Sequence, residues 1–158
     1  MPRPSPLAVR VSAQIGRVFP AHDAVVDAGH IARFAHAIGE TRPVYFEEAA
    51  ARAAGYETIP APPTFLFTLS IMKPRPFDIY DELGIEQAAI LHAGQSFRII
   101  SPILAGRKLT FLPRLSGAVE KSRGALLFVS VETSVTDAEH RLVALLTTTV
   151  AARQGAGS

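Results

Sequence analysis

Four segments in the second half of the sequence alternate with a period of two, and they constrain the fold more than any other feature. They are rich in β-branched residues and span 90–100, 109–119, 125–136 and 141–152. Such alternation is typical of β-strands, and turn-forming residues separate the segments. The short connections predict that successive strands pair antiparallel, as a meander.

Both faces of the predicted sheet carry apolar side chains in the last two strands. Leu127, Val129 and Val131 alternate with Leu126 and Phe128. A sheet with two apolar faces requires a cover on each of them. We therefore expect helices against one face and a further chain against the other.

Three helical segments precede these strands. Asp27 is placed to cap a first helix over 31–38, and an alanine-rich second helix is predicted over 47–54. The third helix lies over 64–72, where large apolar residues on most sides predict burial all round. Residues 73–87 predict a surface loop that borders a pocket.

The length of 158 residues, with 48% hydrophobic and 19% charged residues, fits a single folded domain. We place this domain at 11–152, between a proline-rich flexible N-terminus at 1–10 and a flexible tail at 153–158. The sequence has no internal repeat. One buried helix wrapped by a long antiparallel sheet predicts an α+β hotdog fold, which a second chain completes as a dimer.

The charge balance and the residue inventory exclude several classes of function. The formal net charge is only +2 and no basic block is present, so we expect no nucleic-acid partner. Cysteine is absent, which excludes disulfides, thiolate metal sites and a cysteine nucleophile. No apolar run reaches the ~18 residues of a membrane span, so we expect a cytoplasmic protein with no membrane contact.

Several strings in the sequence resemble the N-terminal MaoC-type dehydratase domain. They are IGRVFP at 15–20, IARFAHAIGE at 31–40, PVYF at 43–46, AAARAAGY at 49–56, IPAPPTF at 59–65, ILHAGQSF at 90–97 and PILAG at 102–106. The resemblance covers nearly the whole body of the chain. It implies a hotdog fold and the hydration of a 2-enoyl thioester, or the dehydration of a 3-hydroxyacyl thioester, on CoA or acyl carrier protein.

The segment that matches the catalytic motif of this family departs from it. Active MaoC-type hydratases share an Asp, an Asn, a Pro and a His; alignment through Gly39 and Pro43 puts Glu40, Arg42 and Tyr45 at the Asp, Asn and His positions. Water addition requires a base with a pKa near the working pH, which imidazole at about 6.5 meets and a phenol at about 10 does not. We expect Tyr45 to be a poor base, whereas Glu40 could activate water if burial raised its pKa.

The start of the third helix is the candidate for binding the thioester carbonyl. Pro62 and Pro63 lack N–H groups, so Thr64 and Phe65 offer the first free backbone donors for the oxyanion of an enolate. The alternative is that the Pro-Pro-Thr string only starts a helix.

An acyl tunnel is predicted along residues 61–67, beside the loop at 73–87, with an aromatic wall from Phe65 or Phe67. The resemblance also places His92, which is next to Gly94, near the site, although it could equally be a hydrogen-bonded sheet histidine. The candidate substrate-binding residues are Pro63, Thr64, Phe65, Phe67, His92 and Gln95.

The remaining motifs leave more than one function open. Histidine spacing and the lack of a glycine-rich phosphate loop predict neither a metal nor a cofactor. In split MaoC-type dehydratases, one subunit that lacks the His pairs with a catalytic subunit that has it. The resemblance thus favours an (R)-specific hydratase or dehydratase subunit that supplies an acyl tunnel to a catalytic hotdog partner. The alternatives are a self-sufficient homodimer that uses Glu40 and an acyl-thioester-binding protein without catalysis; residues 64–72 lack the carboxylate that a thioesterase requires.

Overall fold

The computed structural model describes residues 3–154, apart from the side chain of Arg123. Five strands form one antiparallel sheet in the order β1-β3-β4-β5-β2. The strands are β1 His22–Val25, β2 Ile90–Ile99, β3 Lys108–Lys121, β4 Leu126–Thr136 and β5 Leu142–Arg153. The α-helices are α1 Pro6–Ser12, α2 Ala28–Ala37, α3 Glu48–Ala53, α4 Phe65–Ile71 and α5 Asp78–Glu82. Within 3–154, no helix has the length and apolarity that crossing a bilayer requires.

The four predicted strands are confirmed to within two residues, but their predicted pairing is wrong for β2. This strand pairs with β5, with Ile90 opposite Ala152, so only β3, β4 and β5 form a meander. The β2–β3 connection is not a hairpin, because these two strands are not neighbours in the sheet. The connection instead contacts the segment before α4, where the Ala61 N–H donates to the Ile103 carbonyl at 2.7 Å. One outer edge of the sheet is therefore β2, and its far side has no strand partner within residues 3–154.

The core lies between α4 and the face of the sheet that carries the odd-numbered residues of β4. Phe65, Leu66 and Leu69 of α4 are buried against this face, in one cluster with Phe111 and Leu146. Burial of each such side chain contributes roughly 1.5–3 kcal/mol. The prediction that this helix is buried all round is wrong, because its other side borders a cavity that is described below.

The opposite face of the sheet is more polar than the sequence predicts. Ser130 and Thr149 hydroxyls lie 2.9 Å apart, and Arg114 pairs with Glu132 at 2.7 Å. The apolar residues on this face are interleaved, across the strands, with these polar side chains. An apolar cover by another chain is therefore not required on this face, and the unpaired edge of β2 is the better candidate for association.

Within the segment 1–10, which was predicted to be flexible, a helix begins at Pro6; residues 1 and 2 lie outside the described residues. Ser5 caps α1 by accepting a hydrogen bond from the Ala8 N–H at 3.1 Å, and Ala8 and Val11 are buried. The proline pattern hid this helix, because a proline in the first helical turn is compatible with helix formation. Of the predicted C-terminal tail, residues 155–158 lie outside the described residues, while Gln154 donates to Glu120 at 2.8 Å.

The segment at 73–87 contains α5, where the sequence predicts a loop throughout. Ile79, Tyr80 and Leu83 are buried, at a spacing that fits one helix face. The flanking prolines and Gly84 are typical of a loop, so the local pattern did not predict the short helix α5. The predicted pocket beside the segment is confirmed, as described next.

Candidate functional site

The candidate residues lie around two concave sites at opposite ends of β2. A cavity of about 470 Å³ lies at the Ile90 end and includes Phe67 and His92. A cleft of about 250 Å³ lies at the Ile99 end and includes Tyr45 and Pro63. The structure thus separates the catalytic-motif positions from most of the predicted acyl tunnel.

At the catalytic-motif positions, Glu40 accepts four hydrogen bonds. The Arg42 side chain donates from Nε at 2.9 Å and from Nη2 at 2.5 Å, and the backbone N–H groups of Thr41 and Arg42 each donate at 3.0 Å. Local folding explains the arrangement. Gly39 ends α2 with a φ of +76°, which turns the chain so that Glu40 and Arg42 lie side by side.

The electrostatics of this cluster are opposite to those of a general base. Hydrogen bonds from the Arg42 side chain, followed by those from the backbone, lower the pKa of Glu40 to about 2. A base that removes a proton from water requires a pKa much nearer the working pH. The opposing effect of burial is outweighed by these hydrogen bonds, and both oxygens of the carboxylate already accept at least one of them.

Tyr45 is bound to the same arginine. The Arg42 guanidinium lies 5.1 Å from the centre of the Tyr45 ring, and its Nη2 lies 3.3 Å from the Tyr45 hydroxyl. A cation over an aromatic ring is attracted to it. Glu40, Arg42 and Tyr45 therefore form a closed polar cluster at the rim of the smaller cleft.

Of the two backbone donors predicted at the start of α4, one remains free. The Phe65 N–H donates to the Pro62 carbonyl at 2.9 Å, whereas the Thr64 N–H has no hydrogen-bond partner among the described residues. The Phe65 ring is buried in the core, 5.3 Å from the ring of Phe34, and lines neither the cavity nor the cleft. The aromatic wall of the larger cavity comes from Phe67.

The larger cavity crosses the whole width of the sheet. Each strand contributes to its floor, in the order His92 on β2, Thr148 on β5, Thr133 on β4, Pro113 on β3 and His22 on β1. Its roof comes from α4 and the segment at 73–87, through Phe67, Ile71, Pro76, Phe77, Ile79 and Tyr80. Most of these side chains are apolar, and the volume is in the range of small-molecule sites.

His92 and Gln95 share the cavity face because of a β-bulge. The register of β2 shifts between His92 and Gly94, so that His92 lies opposite Val150 and Gln95 opposite Thr148. The His92 ring makes an edge contact with Phe67 at 5.2 Å. Gln95 accepts a hydrogen bond from the Thr148 hydroxyl at 2.8 Å.

Several polar residues of the cavity were not singled out from the sequence, and three of them matter below. They are His22, Tyr80 and Thr133. Thr133 had a detectable signal, because it interrupts an apolar series at every second position of β4. His22 lies on a strand of four residues, which is too short to show a period. No cluster of three His, Asp or Glu side chains suited to a metal occurs in the part of the chain that the structure describes.

Comparison with known proteins shows the family. The family model described as FAS1-like, dehydratase domain region, matches residues 13–146. The chain belongs to this FAS1-like dehydratase family. A UPF0336 protein of Streptomyces griseus subsp. griseus is 31% identical over 140 residues, which cover 88% of this chain and 92% of that protein.

Solved structures confirm the predicted hotdog fold and the resemblance to MaoC-type dehydratases. The C-terminally truncated HadBC complex, a 3R-hydroxyacyl-ACP dehydratase from Mycobacterium tuberculosis, matches at 26% identity with a TM-score of 0.73, covering 87% of this chain and 96% of that chain. A MaoC-like dehydratase matches at 22% identity with a TM-score of 0.81, covering 92% of this chain and 44% of that chain. This FAS1-like dehydratase chain therefore has the fold of known hydratases and dehydratases.

Proposed function

We propose that this chain is the acyl-binding subunit of a heteromeric (R)-specific enoyl-thioester hydratase or 3-hydroxyacyl-thioester dehydratase. A catalytic hotdog partner supplies the Asp and the His. The observation that carries the proposal is the ion pair of Glu40 with Arg42, which occupies the position of the base while an apolar cavity remains open in the same chain. The substrate is an acyl thioester of CoA or acyl carrier protein.

The outer edge of β2 is the proposed partner surface. This edge is ten residues long; Leu91 on it is 58% exposed, and Ile100, directly after its end, is 52% exposed. Natural proteins rarely leave a long apolar edge unpaired, because it templates further strands. The match to a chain of the HadBC complex supports pairing with a second hotdog chain.

Antiparallel pairing of two β2 edges gives the cavity a role. In a two-fold arrangement, the Ile90 end of one strand meets the Ile99 end of the other. The mouth of the large cavity, at His92, would then face the motif segment of the partner. An acyl chain whose thioester lies at the partner's Asp and His would extend into the cavity of this chain.

The free N–H of Thr64 favours a second candidate, a self-sufficient homodimeric hydratase. An unpaired backbone N–H at the start of α4 could stabilise the oxyanion of a thioester bound in the same chain. Water activation would then rest on Glu40, against the low pKa of its carboxyl group.

Turnover by the purified chain separates the two candidates. Hydration of crotonyl-CoA and of longer enoyl thioesters is followed with the chain alone and after addition of a hotdog chain that carries the Asp and the His. We expect the isolated chain to be slower by about 10²–10⁴-fold, because that is the usual contribution of a general base. Robust turnover that survives Tyr45→Phe and disappears with Glu40→Gln would overturn the subunit role.

A further inference from the structure

Three hydrogen-bonding groups around the large cavity have no partner within residues 3–154. The Thr133 and Tyr80 hydroxyls make no hydrogen bond, and these residues are only 9% and 6% exposed. The Nδ1 atom of His22 is buried and also unpaired. The Thr133 and Tyr80 hydroxyls face the cavity without a protein partner, so a ligand that fills the cavity must either pair them or leave them unpaired. The buried Nδ1 atom of His22 is not accessible from the cavity.

Most other polar side chains of the cavity already have hydrogen-bond partners, whereas the exposed His92 makes a ring contact with Phe67 but no hydrogen bond. The Thr148 hydroxyl donates to Gln95 at 2.8 Å, and the Ser70 hydroxyl donates to the Phe67 carbonyl at 2.7 Å. Lys73 pairs with Asp78 at 2.7 Å. The groups without a hydrogen-bond partner are therefore a minority of the polar groups around the cavity.

The chemical character of each unpaired group follows from its surroundings. The Nε2 atom of His22 lies 3.3 Å from the Leu69 carbonyl, which can only accept, so Nε2 carries the hydrogen and Nδ1 is an acceptor. Burial raises the pKa of Tyr80 to about 12, so its hydroxyl remains a donor at neutral pH. The Thr133 hydroxyl can donate or accept.

Two of these groups lie far from the mouth of the cavity. Neighbouring strands are about 4.8 Å apart, so Thr133 on β4 lies roughly 10 Å across the sheet from His92 on β2, and His22 on β1 roughly 19 Å. Apolar side chains, among them Val131 and Val150, occupy the stretch between. The Thr133 hydroxyl is therefore separated from the exposed His92 by mostly apolar lining residues.

We propose that this cavity selects acyl chains that carry an oxygen function, a hydroxyl or a ketone, remote from the thioester. The proposal rests on the acyl-binding role described above. The Thr133 and Tyr80 hydroxyls donate to the oxygen of the ligand. A plain alkyl chain would leave both hydroxyls unpaired, which is unfavourable in a water-excluded site.

The test is calorimetric binding of three saturated ligands to the purified full chain. The ligands are dodecanoyl-CoA, its ω-hydroxy derivative and its keto derivative with the carbonyl next to the terminal methyl. We expect the oxygenated ligands to bind about tenfold more tightly, since one well-made hydrogen bond gives about that discrimination.

Thr133→Val removes the hydroxyl with little change of shape, and should reduce the preference both by weakening the oxygenated ligands and by removing the unpaired hydroxyl that disfavours dodecanoyl-CoA. Thr133→Ser restores a hydroxyl and should restore the preference, which separates the effect from misfolding. Thr148→Val is the matched control, because that hydroxyl is already bonded to Gln95. Equal affinities for the three ligands would overturn this inference and leave the acyl-binding role intact. Failure to bind any of them would refute the acyl-binding role itself.

Discussion

Replacement of Arg42 by methionine tests whether the ion pair with Arg42 keeps the pKa of Glu40 too low for a general base. The Arg42 side chain supplies two of the four donors to the Glu40 carboxylate, and its hydrogen bonds are the largest cause of the lowered pKa. The two backbone donors survive the substitution. We therefore expect the pKa of Glu40 to rise from about 2 most of the way towards its ordinary value of 4.5.

The pH dependence of stability follows from the same pair. A carboxyl whose pKa is lowered by folding stabilises the protein above its unfolded pKa, and this contribution is lost as the pH falls from about 4.5 to about 2. Arg42→Met should flatten this part of the stability profile. Stability is measured by urea unfolding at a series of pH values.

Carbon-13 NMR titration of the glutamate carboxyls measures the pKa directly. Arg52→Met is the matched control, because Arg52 pairs with Glu48 on an exposed helix face and does not touch Glu40. An unchanged Glu40 titration in Arg42→Met would refute the argument that Arg42 holds this carboxylate. The same variant should remain inactive as an isolated hydratase, because Tyr45 still stands where the family has histidine.

Three further predictions concern association, packing and the thioester. Light scattering at micromolar concentration should show no dispersed monomer for the native chain, whereas Leu91→Lys with Ile100→Lys should release monomer by charging the β2 edge. Leu69→Ala should lower the free energy of unfolding by about 2–5 kcal/mol in urea titrations, because it opens a void beneath α4. Thr64→Pro removes the free N–H and should weaken acyl-thioester binding about tenfold in a variant whose fold is verified by circular dichroism; unchanged affinity in that folded variant would argue against an oxyanion role.

Local patterns in the sequence predicted the elements well, but not the contacts between distant ones. The alternation over 126–136 and the cap at Asp27 depend on neighbouring residues, and both are present in the structure. The pairing of β2 with β5 joins segments about fifty residues apart, and no local signal selects it over a hairpin. The short strand β1 and the helix α5 are stabilised by tertiary burial, which outweighs weak local signals.

The candidate site was likewise predictable where it depends on neighbouring residues, and not where it depends on contacts between distant ones. The departure at Glu40, Arg42 and Tyr45 is visible in the sequence, but whether Glu40 faces water or Arg42 depends on a side-chain conformation. The cavity brings together His22 and Thr133, which lie far apart in the chain and become neighbours only when β1, β3 and β4 pair. Their lack of hydrogen-bond partners depends on three-dimensional packing, so no sequence motif could have predicted it.

The bulge at Ala93 reverses the parity of the inward side chains along β2. Before it the even-numbered residues Ile90 and His92 face the cavity side, and after it the odd-numbered Gln95 and Phe97 do. Deletion of Ala93 would leave all four side chains facing inward. Deletion of Ser96 would instead turn Phe97 to the outer face. Sequence alignments of relatives across this strand must therefore allow a one-residue gap at this position, or residues of the cavity mouth will be compared with residues of the outer face.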